Sequence, residues 1–79
     1  MKTNDIKKGM RILLRNGWYG TMKDNKRGNI RMAEVEGYFT ETGSIYAWDI
    51  AKVFIDGKEV SIELTKQQRK DMDFAENWV

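Results

Sequence analysis

Alternation of apolar and polar positions divides most of the chain into short strands. Met10, Ile12 and Leu14 alternate with Arg11, Leu13 and Arg15, which predicts a strand with one impure face. Asn16-Gly17 then supplies a hairpin turn, because this dipeptide best tolerates two positive φ angles, and a second strand is expected over 18–23. The polar stretch 24–28 ends in glycine and predicts an exposed loop. In the third strand, 29–37, Ile30 and Met32 share one phase while Val35 falls on the other, so a bulge or bend is expected near Met32-Ala33-Glu34. Glu41-Thr42-Gly43-Ser44 has the composition of a turn, and 45–55 is a long apolar stretch with a phase shift expected near Ala51-Lys52. Asp56-Gly57 is a second two-residue hairpin signal, and beyond it Val60, Ile62 and Leu64 alternate cleanly with polar residues.

At Thr65 the period changes. Thr65 as N-cap with Gln68 three residues on forms a capping box, which predicts a helix over 66–77. Met72, Ala75 and Val79 fall at helical spacing, and Phe74 and Trp78 widen the apolar stripe. Short strands, tight turns, the absence of proline and one terminal helix predict a mainly β fold, a small five-stranded antiparallel barrel capped by a C-terminal α-helix. The 79 residues suit a single domain, 1–79, divided into an N-terminal arm (1–8), a barrel (9–64) and the helix (65–78). With no cysteine and no histidine, disulfides, thiolate metal sites and the usual neutral-pH acid/base are excluded. No cofactor is expected. No apolar run approaches the ~18 residues of a membrane span, so a cytoplasmic protein without membrane contact is the expectation.

The fifteen residues Lys8-Gly9-Met10-Arg11-Ile12-Leu13-Leu14-Arg15-Asn16-Gly17-Trp18-Tyr19-Gly20-Thr21-Met22 resemble the opening of KOW and Tudor-like modules of the Src-homology-3-like barrel class. They share its glycine, alternating strand, turn glycine, and glycine followed by a hydrophobic residue. Taken whole, the chain also resembles short uncharacterised barrels of tailed bacteriophages and prophages. The KOW likeness implies binding to RNA or DNA-associated machinery. The phage likeness implies an accessory protein that binds a host factor in the cytoplasm of a bacterial host.

Charge is sorted along the chain. The first 33 residues sum to +7 and the remainder to −5, under an overall +2. Clustered cations steer polyanions, so nucleic acid is one expected partner. The candidate nucleic-acid-binding residues are Arg11, Arg15, Lys23, Lys26, Arg27 and Arg31, expected to share one face, with Trp18 and Tyr19 beside them. An exposed ring there would stack on a base, whereas a packed one would only cover a neighbouring strand. Tyr38, Phe39, Tyr46 and Trp48 with Asp49 or Glu36 offer the parts of an aromatic cage for a methylated lysine. Glu34 and Glu36, two residues apart, share a strand face as either paired carboxylates or ion-pair partners. Without a nucleophile motif, a phosphate-cradling loop or a metal signature, no enzyme is expected. The competing expectation is an accessory protein that docks on a host protein through the acids Glu59, Glu63, Asp71, Asp73 and Glu76. Opposite charges at the two ends also permit self-association.

Overall fold

Glycine-bearing turns set the strand order. The computed structural model describes residues 1–25 and 27–76, and in it the strands β1 (Arg11–Leu14), β2 (Tyr19–Met22), β3 (Ile30–Glu36) and β4 (Thr40–Tyr46) form an antiparallel meander. A one-turn 3-10 helix, Ala47–Asp49, then swings the chain back so that β5 (Ile50–Ile55) pairs with β1, and β6 (Lys58–Ser61) adds to β5. The resulting order is β4-β3-β2-β1-β5-β6. Helix α1 (Lys66–Glu76) follows. The protein is therefore mainly β with a C-terminal helix, but the sheet has six strands rather than five and is open rather than closed into a barrel.

The extra strand comes from the segment expected to turn. Glu41 to Ser44 lie inside β4, where Gly43 pairs with Ala33 in a seven-residue ladder, and the reversal falls earlier, at Gly37, whose N–H donates to the Phe39 carbonyl at 3.1 Å. Two other turns follow their glycines. Asp56 and Gly57 both take positive φ, 51° and 79°, as a two-residue hairpin requires. At the first hairpin only Gly17 does, with φ 90°. The Gly17 N–H donates to the Leu14 carbonyl and the Leu14 N–H to that of Trp18, which makes a three-residue loop whose Asn16 side chain accepts the Trp18 N–H at 3.0 Å. The phase shift expected near Ala51 is present as a bulge: Leu13 faces Lys52 but Leu14 faces Ile50.

No bulge interrupts β3. Its pairing with β2 and β4 is continuous, and the inward phase is Arg31, Ala33 and Val35, leaving Ile30 57% exposed and Arg31 fully buried. The core formed by Ile6, Ile12, Leu14, Met22, Ala33, Ile50 and Val53 lies beside it. Residues 1–8 are not a free arm, because Thr3 and Ile6 are buried, and Lys2 bridges Glu63 while the Glu63 N–H donates to the Met1 carbonyl at 2.8 Å. Buried Arg31 finds its acceptors in this folded-back segment. It donates to the Thr3 carbonyl, to Asn4 Oδ1 at 2.9 Å and, from Nε, to the Gly28 carbonyl at 3.0 Å. Loss of solvent lowers its pKa, and the charge of Asp24 opposes that shift.

The expected capping box forms. The Gln68 N–H donates to Thr65 Oγ1 at 3.1 Å and the Thr65 N–H to Gln68 Oε1 at 3.0 Å. Helix α1 docks largely through polar contacts: Gln68 Nε2 donates to Thr3 Oγ1 at 2.6 Å, joining the Arg31 network, and Asn29 Nδ2 donates to Asp71 Oδ2 at 3.1 Å. Met72 is half-buried, whereas Ala75 and Phe74 of the expected apolar stripe are exposed. Trp78 and Val79 lie outside the described residues.

Candidate binding surface

The five described cations of the six expected on one face occupy four different environments. Arg11 stands on the outer, convex side of β1. Its Nη1 donates to Glu36 Oε2 at 2.7 Å, and its guanidinium lies 5.1 Å from the centre of the Tyr19 ring. Lys23 reaches Glu34 Oε2 at 3.7 Å, and Lys52 reaches Glu59 at 2.9 Å on the same side. Exposed pairs of this kind add little stability, yet they place a carboxylate against each cation of that face. Arg15 sits in the β1–β2 turn at one end of the sheet, where its Nε donates to the Trp48 carbonyl at 2.6 Å. Arg27 is exposed in the loop at the other end. Arg31 points inward and is fully buried, which removes it from any surface. Lys26 lies outside the described residues.

Two cations that the sequence pattern did not single out join the loop end. The Lys8 N–H donates to Asn25 Oδ1 at 2.7 Å and the Gly9 N–H to the Met22 carbonyl at 2.8 Å, which sets Lys7 and Lys8 beside the loop that carries Lys23 and Arg27. The doublet was visible in the chain, but its juxtaposition with residue 25 depends on the fold.

Aromatic side chains gather at the opposite end. Trp18 rests flat on the bare backbone of Gly37, where a Cβ would stand 2.4 Å from Trp18 Cζ3. The Tyr38 ring meets Trp18 edge-on, with centroids 5.7 Å apart. Tyr38 and its neighbour Phe39 are 92% and 78% exposed, at the tip of the β3–β4 hairpin. Tyr19 faces the convex side and packs 5.9 Å from Phe54, so of the two aromatics after the first turn neither enters the core. Behind the aromatic tip a groove of about 470 Å³ runs along β4, bounded by Leu14, Trp18 and Val35 on one side and by the consecutive residues 41–45 on the other. Arg15, Glu41 and Asp49 provide its charges.

The parts of the aromatic cage do not converge. Tyr46 stacks on Trp48 with centroids 4.6 Å apart, at the far end of β4 from Tyr38 and Phe39. Glu34 and Glu36 share the convex face as expected and face Lys23 and Arg11 there. Among the described residues no group of three or more Asp, Glu, His or Cys is placed to hold a metal ion, and no described helix is long and apolar enough to cross a membrane. Compared with known proteins, the chain matches no family model, no curated protein and no solved structure.

Proposed function

We propose that this chain is a non-enzymatic protein-binding module, a small accessory protein of the Src-homology-3-like class that contacts a partner protein through its aromatic end. What carries this is the exposure of Tyr38 and Phe39 at the β3–β4 hairpin tip, with Tyr38 edge-on to Trp18, which lines the β4 groove. Large rings left in water at a hairpin tip are costly unless a partner covers them, and Trp and Tyr are the residues that most often anchor protein interfaces. A meander of four strands, a one-turn helix and a fifth strand returning to the first supports the fold assignment. The test is retention of a specific protein from a lysate of the source cells by the immobilised chain. Tyr38→Ser with Phe39→Ser is expected to abolish retention, while unchanged retention overturns the proposal.

A nucleic-acid reading keeps one specific support, the loop end that carries Lys7, Lys8 and Arg27. Fluorescence anisotropy with labelled single-stranded DNA, duplex DNA and RNA separates the two. Micromolar binding that survives ~150 mM salt and falls on Lys7→Glu/Lys8→Glu makes polyanion binding the function. Binding confined to low salt reflects unspecific charge attraction.

A further inference from the structure

Among the described residues no strand pairs with the outer edge of β4, which lies along the groove. Met32 accepts the Lys23 N–H at its carbonyl and gives its own N–H to Asp24 Oδ2, each at 2.9 Å, so its backbone polar groups point toward β2. Successive residues of an antiparallel strand point these groups to alternate sides. Arg31, Ala33 and Val35 therefore bond to their partners Ile45, Gly43 and Glu41, and Thr40, Thr42 and Ser44 direct their N–H and C=O groups away from the sheet. Tyr46 follows the same phase, and its outward N–H is taken by Asp49 Oδ2 at 3.0 Å.

Exposed edges are normally blunted by lysine, proline, a bulge or short length. The opposite edge obeys this: β6 has four residues, including Lys58 and Glu59. By contrast β4 is seven residues long, has no lysine or proline, and pairs with β3 without a bulge, its one charge being Glu41 on the inward phase. Five consecutive residues of β4 line the groove together with Leu14 and Val35, so the groove lies over the inward phase of the strand and reaches its edge at Thr42 and Ser44.

We infer that this edge binds an extended, cationic segment of another protein by strand addition. The inference rests on the protein-binding function proposed above and specifies its mode. Main-chain bonds to Thr42 and Ser44 hold the added strand, and alternate side chains drop onto Leu14, Val35 and Ile45 in the groove. Charge selects the segment. Glu41 and Asp49, whose Oδ2 already accepts the Tyr46 N–H, put two carboxylates in the groove lining against the single guanidinium of Arg15, whose Nε is turned to the Trp48 carbonyl. Lysine or arginine flanking an apolar centre fits this arrangement, and an acidic strand is opposed.

The probes are two heptapeptides with valine at alternate positions, one carrying lysine between them and one carrying glutamate, plus a lysine peptide N-methylated on its central amides. Binding is followed on the ¹⁵N-labelled full chain. The lysine peptide is expected to shift the Thr42 and Ser44 amide signals and slow their hydrogen exchange. The glutamate peptide should bind about fivefold more weakly, and the methylated peptide should give no protection. Glu41→Lys, an exposed change that leaves the ladder intact, should erase or invert the charge preference. Equal binding of the lysine and glutamate peptides, or shifts confined to residues away from β4, overturns the inference. So does protection of Thr42 and Ser44 without peptide that rises with protein concentration alongside a dimer in sedimentation, since the edge then pairs two copies of this chain. If the peptides fail while retention of a partner still depends on Tyr38 and Phe39, strand addition is wrong and the protein-binding function stands.

Discussion

Arg31 shows how a single side chain organises one end of the molecule. Its donors serve the Thr3 and Gly28 carbonyls and Asn4 Oδ1, and Thr3 in turn receives the Gln68 amide. Methionine at this position keeps much of the volume but removes the guanidinium: exposed Asn4 and Gly28 can turn to water, whereas the buried Thr3 carbonyl keeps only the Ile6 N–H, and an under-satisfied buried group costs about 1–3 kcal/mol. Arg31→Met is therefore expected to destabilise the fold by about 1–2 kcal/mol in urea unfolding. Arg31→Lys should recover only part of the loss, because an ammonium lacks the planar fork that reaches all three acceptors. A loss under about 0.5 kcal/mol, the level of an ordinary surface substitution, would show that water replaces the guanidinium and that the network is not structural. The sequence pointed the other way here. Ile30 and Met32 looked like the inward phase because they are apolar, whereas the first residues of the chain bring carbonyl and amide oxygens to the place where Arg31 enters.

Among the elements, those governed by local chemistry were legible and those governed by pairing were not. Asp56-Gly57 turns because two residues must take positive φ, and Thr65 with Gln68 caps α1 because the first helical N–H groups need acceptors. Thr65→Ala should cost about 1 kcal/mol and should fray the first turn of α1, seen as faster exchange of the Gln68 amide. Exchange unchanged from the parent would mean that docking through Gln68 Nε2, rather than the cap, holds that turn. The β4 strand was hidden because Thr, Glu, Gly and Ser at 40–44 have turn-like composition, and only the ladder offered by β3 makes them a strand. That same composition, unblunted by lysine or proline, leaves its edge open.

At the scale of the whole molecule, the separation of charge along the chain is undone by folding. The acids Glu34 and Glu36 of β3 return beside Lys23 and Arg11, so the convex face is mixed in sign while Lys7, Lys8 and Arg27 lie at the loop end. The first residues of the chain are joined to the segment between β6 and α1 by Lys2 and Glu63, 3.2 Å apart, and by the Glu63 N–H to the Met1 carbonyl. The hydrogen bond and charge of Lys2 hold the Glu63 carboxyl below its usual pKa of 4.5. A carboxyl whose pKa is lowered by folding contributes stability above its unfolded value and loses it as pH falls through the folded value. Acidification below the ordinary carboxylate range should therefore loosen this junction. The Glu63 side chain is expected to titrate below 4.5 by NMR, and Lys2→Ala should move it back toward that value. Coincident titrations of the parent and the variant would dissociate the shift from Lys2.

By itself the sequence determined what depends on near neighbours: the β character, the turns at Gly17 and Gly57, the helix cap, the bulge beside Ala51, and a chain without cysteine or histidine. Only the tertiary structure decided what depends on distant groups meeting. It turned Arg31 inward onto residues 3, 4 and 28, dispersed the remaining cations, drew Lys7 and Lys8 to the loop, and left β4 as an open edge beside the aromatic tip. Local patterns record each residue's own preference for water or for a backbone angle, whereas strand pairing and hydrogen bonding across the sheet are settled by partners that lie far away in the chain.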